Sequence, residues 1–177
     1  MRESFQSSLY LNQEKSGRLI NMTSMFQCTP ESKLKDILLI HAMWGCDTTS
    51  GLFSIGKTKL FKSTILEDDP ALTSVFYKSD SSQADVITAG EKIILKLYGK
   101  NKVNSLDELR YVSYKKRLHS NTKKKKVDHR KLPPSSAAAR FHNLRVYHQV
   151  QEWNKNDLPP VEFGWCEIEE RLEQLTL

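Results

Sequence analysis

The sequence is short of cysteine, of long apolar runs and of apolar residues in general. Its three cysteines, Cys28, Cys46 and Cys166, are an odd number with no Cys-x-x-Cys pair. That argues against a disulfide scaffold and a four-cysteine zinc site, and reduced thiols fit an intracellular protein. No apolar run approaches the roughly 18 to 20 residues that a bilayer span requires, so no transmembrane helix is expected. The opening Met-Arg-Glu-Ser-Phe-Gln places no apolar stretch behind a basic one, so no secretory signal is expected either. Apolar residues make up 38% of the 177 positions and charged residues 27%. Such a chain can build a core, but not over its full length; one domain, or a small domain with a tail, is the expectation. There is no internal repeat.

What is present in excess is positive charge, and it is local. The net charge is +6, yet residues 115–131 hold nine Lys or Arg against one acid, Asp128, a charge of +8. From Asp157 onward six acids face one base, Arg171. A segment this dense in one sign repels itself and is expected to be extended and solvated, a disordered basic linker. It also offers a phosphate-binding arm or a nuclear import signal. The candidates are Lys115, Lys116, Arg117, Lys123, Lys124, Lys125, Lys126, Arg130 and Lys131, in two clusters. Nothing in the segment reads bases, so a nucleic-acid contact here would be salt-sensitive and indifferent to sequence.

Along the chain, residues 8–11 and 18–22 read as two short strands around Gly17, with a polar loop between them. Thr29 as N-cap, Pro30 at the first helical position and Glu31 in the first turn predict a helix. Leu34, Ile37, Leu38 and His41 would line its buried face, with His41 a satisfied core histidine, and Gly45 would end it. A polar loop over 45–57 and a short second helix over about 57–66 complete a helix–loop–helix unit. Further helices are predicted over about 72–77, over 86–98 with Val86, Ile93, Ile94 and Leu97 inward, from a capping box at Ser105 and Glu108, and over about 137–153. In the last of these His142 and His148 are read as structural. Trp153 and Trp165 are read as anchors for an extended acidic tail over the last 17 residues.

The chemistry is concentrated in residues 38–59. Gly51, Gly56, Lys57 and Thr58 complete the Gly-x-x-x-x-Gly-Lys-Thr pattern of a phosphate loop, in which backbone N–H groups cradle phosphates and Thr holds magnesium. That loop must follow a buried strand, whereas here the apolar run before it is capped and spaced as a helix, and no strand–helix series follows. Nucleotide binding through residues 51–58 therefore stands as an alternative.

The same stretch resembles the flap-endonuclease and XPG-type nucleases, whose catalytic core is PIN-like. In them an apolar helix ends in Gly-x-Asp with a metal-binding aspartate, and a Gly-Ile-Gly hairpin then opens a helix that grips DNA backbone. Residues 37–44 are similar to that helix, Gly45-Cys46-Asp47 to the Gly-x-Asp, and Ser54-Ile55-Gly56-Lys57 to the hairpin, with Ser54 where the family has Gly. His41-Ala42 with residues 45–50, the Leu132-Pro133-Pro134 run and residues 145–153 further resemble mobile-element-associated proteins of invertebrates that carry a degenerate version of this core. The resemblance implies one metal ligand, Asp47, with a bound Mg2+, and backbone contacts from Ser54, Ile55, Gly56, Lys57, Lys59 and Lys62. Two-metal cleavage needs several carboxylates, yet the residues before Asp47 supply only Glu3, Glu14, Glu31 and Asp36. The expectation is a C-terminal fragment of such a protein that binds nucleic acid without cleaving it by itself. A magnesium-dependent nuclease completed by another chain is the alternative.

The expected architecture is a mainly α bundle with a helix-two-turn-helix-like unit. As the resemblance implies, residues 1–28 would form a strand pair completing a truncated PIN-like sheet, 29–114 the helical nuclease-like, nucleic-acid-contacting unit, 115–134 the basic linker, and 135–177 a helix and extended acidic tail. The expected setting is intracellular, with nuclear import through the basic clusters, and away from membranes.

Overall fold

The structure, a computed structural model, describes residues 7–53, 55–56, 68–99, 103–120 and 127–175. Contacts divide the chain into two compact units, Met1–Ile37 and Leu38–Leu177. Among the described residues the fold is mainly α, with seven α-helices and two antiparallel strand pairs.

In the first unit β1 (Tyr10–Gln13) pairs with β2 (Arg18–Asn21), Tyr10 opposite Asn21 and Gln13 opposite Arg18. The expected hairpin is present. It runs directly into a helix that the residue pattern did not suggest, α1 (Met22–Cys28). The Asn21 side chain caps it by accepting from Ser24 N–H at 2.9 Å. The Thr23 hydroxyl accepts from Leu9 N–H at 2.8 Å and ties the helix back to the hairpin. Thr29, read as the cap of the following helix, instead donates its hydroxyl to Met25 O at 2.7 Å and closes α1.

The single helix predicted from Thr29 to Gly45 is two helices, α2 (Glu31–Lys35) and α3 (Ile37–Met43). Asp36, a poor helix former, breaks them with φ −99° and ψ 10°. The expected buried face is also rotated. Leu39, Ile40, Ala42 and Met43 are buried, whereas Ile37 and His41 face outward. Leu38, Leu39 and Ile40 are apolar in succession, so the helical period could be read in more than one phase.

The core of the second unit lies between α4 (Pro70–Tyr77), α5 (Gln83–Leu97) and α7 (Ser136–Trp153), with α6 (Leu106–Ser120) against α5. Val86, Ile93, Ile94 and Leu97 of α5 are all buried, as their spacing predicts. Gly90 lets α5 and α7 approach, because a Cβ there would stand 2.2 Å from the Asn143 side chain. Tyr147 and Gln151 of α7 are fully buried yet satisfied. Tyr147 donates to Lys78 O at 2.8 Å and Gln151 to Phe76 O at 2.8 Å.

The start of α6 has the predicted cap, with Glu108 N–H on Ser105 Oγ at 3.2 Å; the Glu108 carboxylate reaches Asn104 N–H at 2.9 Å rather than Ser105. The Glu91 carboxylate of α5 joins two helix starts, accepting from Leu106 N–H at 2.9 Å and from the Ser136 hydroxyl at 2.7 Å.

Two boundaries differ from those expected. The segment from residue 115 begins as helix, since α6 continues to Ser120. After residues 121–126, which lie outside the described residues, the chain is again built, with Val127 and Leu132 buried around a 3-10 turn, His129–Lys131. The tail, predicted to be extended, forms a hairpin: β3 (Trp165–Ile168) pairs with β4 (Arg171–Gln174). Glu169 and Glu170 turn it with φ 49° and 60°. Neither residue type signals such a turn, so repulsion was the only visible cue.

Candidate nucleic-acid interface

The stretch that carries the sequence motif is a loop pinned at several points. Helix α3 ends at Met43, and Gly45 reverses the chain at φ 99°. A side chain at Gly45 would meet Gly51 N at 2.7 Å and Gly51 Cα at 2.9 Å, so the two glycines lie backbone against backbone. Between them Thr49 donates its hydroxyl to Ala42 O at 2.6 Å and accepts from Cys46 N–H at 3.1 Å. The buried Trp44 indole donates to Ile55 O at 2.7 Å, and Tyr98 donates to Phe53 O at 2.9 Å. Burial pushes the Tyr98 phenol up to about 12, so it stays a donor across the physiological range.

Beside this loop lies a cleft of about 460 Å³ lined by His41, Gly45, Cys46, Asp47, Thr48, Gln149 and Trp153. His41 is not a core residue. It stands exposed in the cleft and stacks on Trp153, ring centroids 5.5 Å apart and planes 3° from parallel. Trp153 thus anchors α3 to the end of α7 rather than holding the tail. The Thr48 hydroxyl donates to Gln149 Oε1, and Thr48 O accepts from Gln174 Nε2 at 3.3 Å. Partial burial raises the Cys46 thiol, but hydrogen bonds with Thr48 and Thr49 outweigh it and hold the thiol below its ordinary value.

Asp47 is exposed, as a residue just past a helix end can be. It is the one carboxylate among the residues lining the cleft, and among the described residues no group of three or more His, Cys, Asp or Glu is gathered for a metal. Among the described residues lining the cleft, Asp47 is the one carboxylate that a magnesium ion there would meet, where a two-metal clamp uses several.

The predicted hairpin is only partly within the described residues, since Ser54, Lys57, Lys59 and Lys62 lie outside them. Ile55 is buried in the core at 4% exposure, so it steadies the loop and has no side chain to offer a ligand. Gly56 is exposed, and a Cβ there would meet nothing within 4 Å. For the phosphate-loop alternative, Thr58 also lies outside the described residues. Gly51 is occupied by its contact with Gly45, and what precedes the loop is helix α3 rather than a parallel strand.

The basic arm is better defined. Lys115, Lys116 and Arg117 sit on the last turns of α6, while Lys123, Lys124, Lys125 and Lys126 lie outside the described residues. Arg130 and Lys131 belong to the 3-10 turn, which Asp128 caps by accepting from Arg130 N–H at 3.1 Å. The Arg130 guanidinium also bonds Asp128, at 3.1 and 3.3 Å, and holds its carboxyl below the usual carboxylate range.

Residues 127–133 fold back along α6. Arg110 donates to Pro133 O, and the Tyr114 and His129 rings stack at 5.8 Å with planes 16° apart. Sequence reasoning missed Tyr111, Tyr114 and His129. The available signal was Tyr111, Tyr114, Lys115 and Leu118 at i, i+3, i+4 and i+7 along α6, a stripe that reads as core until Leu118 proves 48% exposed.

No helix among the described residues is long and apolar enough to cross a membrane. Comparison with models of known protein families, with curated proteins and with solved structures found no match.

Proposed function

We propose that the protein binds nucleic-acid backbone and does not cleave it by itself, as a module derived from the nuclease-like core of a mobile element. The observation that carries this reading is the return of residues 127–133 along α6, held by the Tyr114–His129 stack and the Arg110–Pro133 bond, so that Arg130 and Lys131 and the basic end of α6 belong to folded elements rather than to a free tail. Charges on fixed backbone attract phosphates without the ordering cost of a free tail. The 121–126 segment adds four lysines to the same surface's sequence neighbourhood. The shortage of carboxylates at Asp47 supports binding over cleavage. Nuclear residence belongs to the same proposal, with the two basic clusters as import signal.

The test is binding of a fluorescent 20-base-pair duplex from 20 to 200 mM salt. Affinity should fall linearly on logarithmic axes, with a slope near −0.9 per phosphate neutralised. The quadruple exchange K115Q/K116Q/R130Q/K131Q should flatten that slope by about 2 to 4 and weaken binding at least tenfold. No binding at 20 mM salt, or a variant that binds like the parent, overturns the proposal. Magnesium-dependent cleavage lost in Asp47→Ala would overturn its non-catalytic part.

A further inference from the structure

We propose that the face formed by α6 and the 3-10 turn is a stacking platform for unstacked bases, so that its partner is single-stranded rather than duplex nucleic acid. The inference rests on the backbone-binding reading above and narrows its substrate class. Tyr111 is 57% exposed on the outer side of α6. The Lys115 ammonium lies over one face of its ring, 4.5 Å from the centroid, which sets a phosphate-attracting charge against a flat, base-sized ring.

One turn further along, Tyr114 and His129 lie nearly parallel, a geometry in which a third planar ring can extend the stack. A hollow of about 250 Å³ joins the two positions, lined by Asp107, Arg110, Tyr111, Tyr114, His129 and Leu132. This is smaller than the usual pocket for a compact organic ligand, and open on one side as a single inserted ring requires.

The two oppositely charged side chains of that hollow, Arg110 and Asp107, are already engaged within the fold. Arg110 donates to Pro133 O, and Asp107 accepts from Ser136 N–H at 3.0 Å. What remains for a ligand is ring faces, with the Lys115 ammonium at Tyr111. Ring faces are of use only to bases that have left a helical stack, because duplex bases present their edges and hide their faces. Every base has such a face, so little sequence preference is expected.

The experiment compares a labelled thymidine 20-mer, a 20-base-pair duplex and a polyglutamate peptide of equal charge, by fluorescence anisotropy at matched salt concentrations from 20 to 200 mM. The full chain should bind the single strand at least tenfold more tightly than the duplex. Tyr111→Ala should weaken single-strand binding roughly five- to hundredfold while leaving duplex affinity and the salt slope unchanged, and Tyr111→Phe should retain it. Tyr114→Phe, which keeps the ring that seats residues 127–133, should also bind like the parent. Equal affinity for both nucleic acids, with Tyr111→Ala neutral and salt dependence intact, overturns the platform and leaves backbone binding standing. Tightest binding to polyglutamate overturns it in favour of an acidic protein partner. No binding to either nucleic acid overturns both readings.

Discussion

Two hairpins of four-residue strands lie near the ends of the chain, and they are held in different ways. The first, β1–β2, exposes Leu9, Tyr10, Leu11 and Leu19 by 51 to 67%. Within its own unit, hydrogen bonds from Leu9 to Met22 and Thr23 tie it to the helix that follows. The second, β3–β4, also exposes apolar side chains, Ile168 and Leu172. It is nevertheless fastened to the helical core. Arg145 of α7, 6% exposed, donates to Gly164 O at 3.0 Å and to Leu175 O at 3.2 Å, and Gln174 reaches Thr48 O. Side-chain burial hardly separates the two hairpins; a buried guanidinium aimed at two carbonyls does. A short strand pair is marginal by itself, and here a polar tie supplies what apolar packing does not.

The largest expected effect removes that tie. Arg145→Ala loses two charge-assisted bonds of roughly 2 kcal/mol each, about 4 kcal/mol in all. The melting temperature should fall by about 10 °C. Hydrogen exchange should accelerate over residues 164–175 and stay unchanged over residues 9–22. Equal loss of protection in both hairpins would erase the contrast.

Acid gives the next largest effect, and it too should be one-sided, because residues 1–37 contain no histidine. His142, one turn before Arg145, is lowered to about 4, chiefly by burial and then by the Arg145 charge, against a bond to Met43. Its folded value lies below the unfolded value near 6.5, so the unfolded chain takes up the proton first. The stabilisation is fully present above about pH 6.5 and is lost as pH falls toward 4, by about 3 kcal/mol. Urea midpoints at pH 7 and pH 4.5 should differ accordingly in the parent and converge in His142→Gln. A parent whose midpoint ignores this window would contradict the buried neutral imidazole.

The smallest effect lies in the turn. Replacing Glu169 and Glu170, both left-handed, by Asn and Gly suits that conformation and removes two adjacent like charges. A gain of roughly 1 kcal/mol is expected, seen as a rise of about 2 to 4 °C in thermal denaturation. A neutral result would mean that Arg145 alone sets the stability of this hairpin.

These two regions also show where residue patterns speak. The first hairpin was legible because a polar stretch, Asn12 to Ser16, and Gly17 separate two short apolar runs; the second was not, because two glutamates carry no turn signal. Helix α5 was legible from Val86, Ile93, Ile94 and Leu97, which share one face in one phase only. Helix α3 was not, since three consecutive apolar residues permit a rotated reading that buried His41 and Ile37. At the candidate site the turn at Gly45 and the exposed Asp47 were readable locally. The Tyr114–His129 pair was not, because it joins residues fifteen apart across the most highly charged part of the chain. Arg145 was invisible for a related reason, in that its worth depends on carbonyls contributed by the far side of the second hairpin.

The contact between Gly45 and Gly51 has a consequence for the lengths that this loop can tolerate. Where two stretches of main chain touch, the span between them works like a closed ring of fixed circumference. The exposed Asp47 and Ser50 can exchange side chains at its outer edge, but an insertion or deletion within 46–50 would pull the pinch apart and slacken the strap that Trp44 fastens at Ile55. The segment should therefore accept changes of identity far more readily than changes of number.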